Sequence, residues 1–134
     1  MATPLVRFRI DFGTRCCVGP GKIALLEAIH RTGSLSQAAR DLHMSYRRAW
    51  QLASSLNASF RGTIVSMNRG GHGGGGAQVT SAGRELTRHY RTFEQHIQAR
   101  AERAFRALSG KARKGSQSAG AAPIIRLSGR RATP

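Results

Sequence analysis

Residues 32–57 read TGSLSQAARDLHMSYRRAWQLASSLN, which contains two short helical patterns separated by a tight turn. The first pattern predicts a helix over residues 35–42. Ser34 is a suitable N-cap, and Gln37 follows three residues later, so this pair has the spacing of a complete capping box. The inner face of this helix is predicted to hold small and apolar side chains, namely Ala38, Ala39 and Leu42.

The second pattern begins after a turn at His43 and Met44, where Ser45 can cap the next helix. Its predicted buried stripe recurs at three- and four-residue steps and comprises Tyr46, Ala49, Trp50, Ala53 and Leu56. Its predicted exposed side comprises Arg47, Arg48, Gln51 and Ser55. Small residues on the first helix permit a close crossing, so the stretch predicts a helix-turn-helix whose second helix enters a DNA major groove. The alternative is a helical hairpin whose basic face is simply solvated.

Flanking patterns extend this unit on both sides. Residues 5–12 nearly alternate between apolar and charged and predict one half-buried strand, whereas residues 12–19 are expected to be irregular. A helix is predicted from Pro20 to Thr32, ended by Gly33. Residues 63–67 and 78–80 predict two short strands, which together form a β-hairpin (the wing) around the glycine-rich run RGGHGGGGA. A nucleotide-binding loop is disfavoured because no Gly-Lys-Ser or Gly-Lys-Thr follows the glycines.

The longest predicted helix spans residues 81–108 and is capped by Thr80. Apolar side chains recur along it at the spacing of a helix-pairing seam, and we expect them to form a dimer contact: Leu86, Tyr90, Phe93 and Ile97. The alternative is that this helix folds back on its own domain.

The charge of the chain favours a polyanionic partner. Lys and Arg number 22 against 6 Asp and Glu, a formal net charge of +16. Residues 109–134 contain no acidic residue and six of the basic ones, which leaves a clear basic excess in the first 108 residues as well. Double-stranded nucleic acid is the first candidate partner, and an anionic membrane surface is the second.

The sequence gives little support for a membrane protein, a metal-binding protein or an enzyme. No apolar run could span a bilayer and no signal-peptide core is present, so we expect a cytoplasmic protein without a membrane partner. The adjacent Cys16 and Cys17 imply no disulfide framework, and the histidines lack metal-ligand spacing, so we expect no metal site. No paired carboxylates or nucleophile–base pair point to catalysis, so we expect no enzyme and no catalytic residue.

The predicted fold class is therefore mainly α with a small β-hairpin wing, that is, a winged helix-turn-helix with a long C-terminal dimerisation helix. We expect a DNA-binding domain over residues 1–80, a dimerisation helix over 81–108 and a basic, disordered tail over 109–134.

Two stretches of the sequence resemble a known family. The run GKIALLEAIHRTGSLSQAARDLHMSYRRAWQLASSLN, followed by GGHGGGGAQVTSAGREL, resembles the N-terminal DNA-binding domain of the ModE molybdate-responsive regulators. Those domains are similar to the LysR-type winged helix-turn-helix. The resemblance covers roughly residues 5–108, and its most specific part is the glycine-rich wing.

The resemblance implies a dimeric, sequence-specific DNA-binding regulator, usually a repressor. It places the start of the second helix at or near the major groove, namely Ser45, Tyr46, Arg47, Arg48 and Gln51. Tyr46 and Trp50 are expected to support that helix from within. The tip of the wing is expected to approach flanking phosphates or the minor groove, through Arg69, Gly70, Gly71, His72 and Gly73. His72 departs from the Lys or Arg that the family pattern leads us to expect.

The resemblance also bears on the effector. ModE-type proteins bind molybdate in a C-terminal pair of small β-barrel domains, and the residues after the long helix show no such strand pattern. We therefore expect no cofactor on this chain, with molybdate sensed by a separate protein or not at all. A non-specific, architectural DNA-binding protein remains the alternative function.

Overall fold

The computed structural model describes residues 3–13, 16–68 and 76–112. Its elements, in chain order, are β1 (Ile10–Phe12), β2 (Cys16–Val18), α1 (Pro20–Thr32), α2 (Leu35–Asp41), α3 (Tyr46–Ser59), β3 (Val65–Met67), β4 (Ala77–Val79), α4 (Ser81–Ala104) and α5 (Arg106–Ser109). Helices dominate, and the two strand pairs β1–β2 and β3–β4 are each antiparallel. The predicted fold class, a helix-turn-helix with a β-hairpin wing and a long helix after it, is confirmed.

Local chemistry sets the ends of the first helices. Gly33 ends α1 in the left-handed conformation, at φ 68°. The Ser34 hydroxyl accepts a hydrogen bond from the Gln37 amide at 3.1 Å and so caps α2. The predicted capping box is only half correct, because the Gln37 side chain donates forward to Asp41 at 2.8 Å instead of back to Ser34.

The turn between α2 and α3 falls where the sequence predicts it. His43 has a φ of 55°, a left-handed conformation that reverses the chain within a few residues. Ser45 then caps α3, since its hydroxyl accepts from the Arg48 amide at 3.1 Å. Both helices bury small side chains, which are Ala38 and Ala39 on α2 and Ala49 and Ala53 on α3.

The buried stripe of α3 is narrower than the sequence predicts. Ala49, Ala53 and Leu56 are fully buried, whereas Tyr46 is 56% exposed and Trp50 is 41% exposed. The prediction that both aromatic residues support the helix from within is therefore wrong. The close approach of the two helices requires small side chains at their contact, so bulky rings are placed on the flank of the stripe.

The N-terminal segment also differs from its prediction. Only Ile10–Phe12 forms a strand, and it pairs with Cys16–Val18 in the region expected to be irregular. The residues before it lie along α4 instead: Gln98 accepts from the Val6 amide at 2.9 Å and donates to the Pro4 carbonyl at 2.6 Å. Because α4 satisfies these backbone groups, a longer strand is not needed.

The base of the wing is fixed to both neighbouring helices. Asn57 of α3 accepts from the Ile64 and Val65 amides at 2.8 and 2.9 Å and donates to the Val65 carbonyl. On the other side, Gly83 of α4 lies so close to the wing that an added Cβ would stand 2.6 Å from the Ile64 carbonyl oxygen. The tip of the wing, residues 69–75, lies outside the described residues.

The long helix is shorter than predicted and packs on its own domain. It ends at Ala104, and Phe105 separates it from the single turn of α5. Arg91 on α4 pairs with Glu27 on α1, with Nε and Oε2 3.2 Å apart, and this contact holds α4 against α1. None of the described helices is long and apolar enough to cross a membrane.

Candidate nucleic-acid interface

The first two turns of α3 present a basic surface. Six of the seven residues from Ser45 to Gln51 are exposed, and only Ala49 points into the core. We call the exposed polar surface formed by Arg47, Arg48 and Gln51 the reading face. Arg47 and Gln51 stand one turn apart on the side opposite the buried Ala53, so their side chains project in the same direction.

The charge of the reading face is not neutralised locally. Neither Arg47 nor Arg48 forms an ion pair with any residue that the structure describes. The sequence of α3 contains no acidic residue. The nearest acidic side chain along the chain is Asp41, at the end of α2, and it is already bound by Gln37 and Arg31. These two hydrogen bonds, that of Gln37 first, lower the pKa of Asp41 below its usual 3.8. The arginines of the reading face are therefore available to an external polyanion.

Ser55 does not belong to this face, contrary to the prediction. Its hydroxyl is half-buried and accepts a hydrogen bond from the Lys22 ammonium at 3.0 Å. Ser55 lies on the same side of α3 as Arg48 but two turns further along the helix, where Lys22 of α1 reaches it. The predicted surface position is therefore a contact inside the domain.

Lys22 is the important residue that the sequence analysis missed. It is only 9% exposed, and its ammonium donates to the Cys17 carbonyl at 2.7 Å as well as to Ser55. It thereby links β2, α1 and α3, and holds the back of α3 in place. A signal was present in the sequence, because Lys22 precedes the buried Leu26 and Ile29 by four and seven residues and so lies on their face of α1.

The four residues predicted to form a dimer seam do not share one free face. Tyr90 is 2% exposed, its ring stacks on Phe8 at 4.5 Å, and its hydroxyl donates to the Phe8 carbonyl at 2.7 Å. Burial is the main cause that raises the pKa of Tyr90 to about 12. Leu86 and Ile97 are half-buried against the same core, and only Phe93, 45% exposed, presents a large free surface. An isolated helix periodicity cannot distinguish a partner subunit from the N-terminal segment of the same chain.

Further apolar surface lies beside Phe93 and beyond it. A groove of about 300 Å³ runs between the β1–β2 hairpin and α4, with Phe12, Leu86 and Phe93 in its lining. Phe105 and Leu108, after the end of α4, are both more than half exposed.

The wing-tip residues predicted to contact DNA lie outside the described residues: Arg69, Gly70, Gly71, His72 and Gly73.

Comparison with known proteins agrees with this architecture. Residues 21–84 match the family described as bacterial regulatory helix-turn-helix protein, lysR family. The match begins in α1 and runs through the helix-turn-helix and the base of the wing into the first turn of α4.

Several curated relatives are similar to more than half of the chain. The molybdenum-pterin-binding protein MopB of Rhodobacter capsulatus is 42% identical over 80 residues, which is 60% of this chain and 30% of MopB. The molybdenum transport protein ModE of Azotobacter vinelandii is 34% identical over 99 residues, which is 74% of this chain and 37% of that protein. The DNA-binding transcriptional dual regulator ModE of Escherichia coli K12 is 39% identical over 76 residues, 57% of this chain and 29% of the relative.

The chain spans less than two fifths of the length of these relatives. Residues 21–84 therefore form a LysR-type bacterial regulatory helix-turn-helix domain, and the chain is similar over part of its length to ModE-type regulators.

Proposed function

We propose that this chain is a sequence-specific DNA-binding transcription regulator that acts as a homodimeric repressor. The observation that carries the proposal is the reading face, in which two arginines and a glutamine are exposed together on a capped helix without any acidic residue. A helix of this kind fits a major groove, where its polar side chains reach base edges.

Within the reading face we assign roles by side-chain chemistry. Arg47 and Arg48 carry forked donors suited to the O6 and N7 acceptors of guanine, and Gln51 can both donate to and accept from adenine. The helix cap at Ser45 and the Asn57 contacts to β3 support this role, because they fix the axis of α3 relative to the wing. The wing tip, residues 69–73, is proposed to contact the DNA backbone on the flank.

The proposed dimer uses α4. The exposed ring of Phe93 and the adjoining apolar groove support it, although Tyr90 is committed to its own domain. We propose that the three parts of the chain have different roles. Residues 1–80 read the bases, residues 81–108 pair the subunits, and the basic tail, residues 109–134, attracts DNA of any sequence.

The relation to molybdenum is a separate proposal. The names of the relatives connect them with molybdenum binding or transport, and the family resemblance places molybdate in domains outside the matched segment. We propose that molybdate acts on this chain through a separate sensing protein. Calorimetric titration at physiological salt tests this, since a saturable micromolar molybdate site on the chain would contradict it.

Selection of bound duplexes from a random library at physiological salt tests the main proposal. We expect enrichment of an inverted repeat, because a symmetric dimer presents two equivalent reading faces to the DNA. Sedimentation of the selected complex should give two chains per duplex. Retention of DNA at low salt without any enriched sequence would instead favour a non-specific, architectural protein, and salt dependence alone would not separate the two.

A further inference from the structure

Two large aromatic side chains stand exposed at the start of α3. Tyr46 is 56% exposed and Trp50 is 41% exposed, and neither belongs to the buried core. They are four residues apart on one helix, so they are neighbours on its surface. We call this pair the aromatic edge. Adjacent exposed rings of this size mark a surface that a partner covers.

The aromatic edge lies between the reading face and the wing. With about 100° of rotation per residue, Asn57 falls on the same side of α3 as Tyr46 and Trp50. The side chain of Asn57 is the one that holds the backbone of Ile64 and Val65, so this side of the helix faces the wing strand β3. Arg47 and Gln51 adjoin the edge on its other side.

The surroundings of the edge identify the partner as DNA rather than protein. The sequence of α3 contains no acidic residue, and Arg47 beside the edge has no ion pair among the described residues. Such a setting repels a basic second copy of the chain and attracts a polyanion. In a major groove, the apolar group that base edges offer is the 5-methyl of thymine.

We infer that Tyr46 and Trp50 form an apolar contact with thymine methyl groups next to the bases read by Arg47 and Gln51. This inference rests on the proposed function, since it requires α3 to enter the major groove. It adds a second chemistry to the site: the polar side chains select guanine and adenine, and the aromatic edge selects thymine over cytosine. Trp50 and Tyr46 are then specificity-determining residues.

Replacement of thymine by deoxyuridine removes only the methyl group and tests the contact directly. In the selected duplex, each thymine is replaced in turn and affinity for the full-length protein is measured at physiological salt. We expect at least one position per half-site at which the loss of the methyl weakens binding about fourfold, the value of one buried methylene-sized group. At that position, Trp50→Ala or Tyr46→Ala should bind the thymine and deoxyuridine duplexes equally well.

Leu5→Ala is the matched control, because Leu5 is 71% exposed and belongs neither to α3 nor to the helix proposed to pair the subunits. It should keep the fourfold preference for thymine. Circular dichroism and thermal melting of each variant establish that it is folded. If every thymine can be replaced without loss in the wild type, or if Trp50→Ala and Tyr46→Ala keep the full preference, the inference is wrong while sequence-specific binding stands. If no sequence is enriched at all, the proposed function fails and the inference fails with it.

Trp50 also provides a direct signal, since it is the sole tryptophan of the chain. We expect its emission to shift to shorter wavelength, or to be quenched, when the selected duplex is added at constant protein concentration. A spectrum that changes with protein concentration but not with DNA would assign the aromatic edge to a contact between protein chains and overturn the inference.

Discussion

Lys22 shows how one buried polar side chain can hold a helix in position, here α3 with its reading face. Its ammonium joins a carbonyl of β2 to a hydroxyl of α3 across the start of α1. A lysine is rarely buried unless its donors are used, and two of the three donors are used by Cys17 and Ser55.

Replacement of Lys22 should therefore destabilise the domain. Lys22→Ala leaves the Cys17 carbonyl and the Ser55 hydroxyl without this donor and opens a gap beneath α3. We expect a loss of about 1–3 kcal/mol in the free energy of unfolding, measured by urea denaturation. Lys111→Ala is the control, since Lys111 is exposed, and a loss of equal size there would show that overall charge, not the internal contact, is responsible.

Tyr90 gives a pH-dependent prediction at the same scale. Its pKa is raised from 10.0 to about 12, mainly because its hydroxyl is buried against the N-terminal segment. The protonated form is favoured by folding, so its contribution to stability is complete below pH 10 and is lost as pH rises through about 12.

We therefore expect the wild type to lose stability over that alkaline interval more steeply than Tyr90→Phe, which has no group to titrate there. Denaturation midpoints at a series of pH values from 9 to about 12 measure the difference. Parallel curves for the two proteins would show that Tyr90 does not titrate in the folded state as its burial requires.

At the scale of elements, the capped helices and the wing base form one framework. Gly83 is a point of close packing in this framework, because a Cβ there would lie 2.6 Å from both the Ile64 carbonyl oxygen and a Val79 methyl carbon. The start of α4 can approach the wing this closely only because residue 83 has no side chain.

Gly83→Ala should separate these elements. The new methyl group meets backbone that cannot move cheaply, so we expect destabilisation by about 1–3 kcal/mol despite the better helix propensity of alanine. Gly21→Ala in α1 is the matched control, since nothing lies within 4 Å of its added Cβ, and it should be neutral or stabilising. Equal thermal midpoints for Gly83→Ala and Gly21→Ala would contradict the close packing of α4 on the wing.

Elements fixed by local chemistry were predictable from the sequence. Gly33 and the caps Ser34, Ser45 and Thr80 each act within a few residues, so α1 to α3 and the start of α4 fall where their patterns indicate. Contacts between distant segments were not predictable in this way. Periodicity marks an apolar flank but does not say what covers it, and for this reason the burial of Tyr90 and the exposure of Trp50 were both misjudged.

The sequence likewise predicted some residues of the candidate site correctly and others incorrectly. The sequence predicts that Arg47, Arg48 and Gln51 are exposed, because they lie on a different side of the helix from the small residues Ala49 and Ala53. The structure confirms this exposure. Ser55 lies on the same side of α3 as Arg48, but further along the helix its tertiary partner Lys22 determines its role. The strand β2 was missed because it and its pairing partner β1 are only three residues long, too short to show an alternating pattern.

At the scale of the whole molecule, charge is distributed between a folded basic surface and a basic C-terminal segment. Residues 113–134 contain five basic residues and no acidic one. We expect their removal to weaken binding to every duplex by a similar factor. It should also flatten the dependence of log affinity on log salt by about 0.9 for each DNA phosphate that the segment neutralises. Filter binding at several salt concentrations measures both effects, and a weakening confined to the selected sequence would show that the segment reads bases.

The central claim is that α3 reads DNA sequence through Arg47, and one comparison of affinities tests it most directly. The affinity of wild type and Arg47→Ala for the selected duplex is compared with that for duplexes carrying single-base changes, with Arg100→Ala on the exposed part of α4 as the control for charge. We predict that Arg47→Ala loses about 1–3 kcal/mol of discrimination at one guanine per half-site, while Arg100→Ala keeps it. Unchanged discrimination at every position in Arg47→Ala, with only a uniform loss of affinity, would contradict the claim.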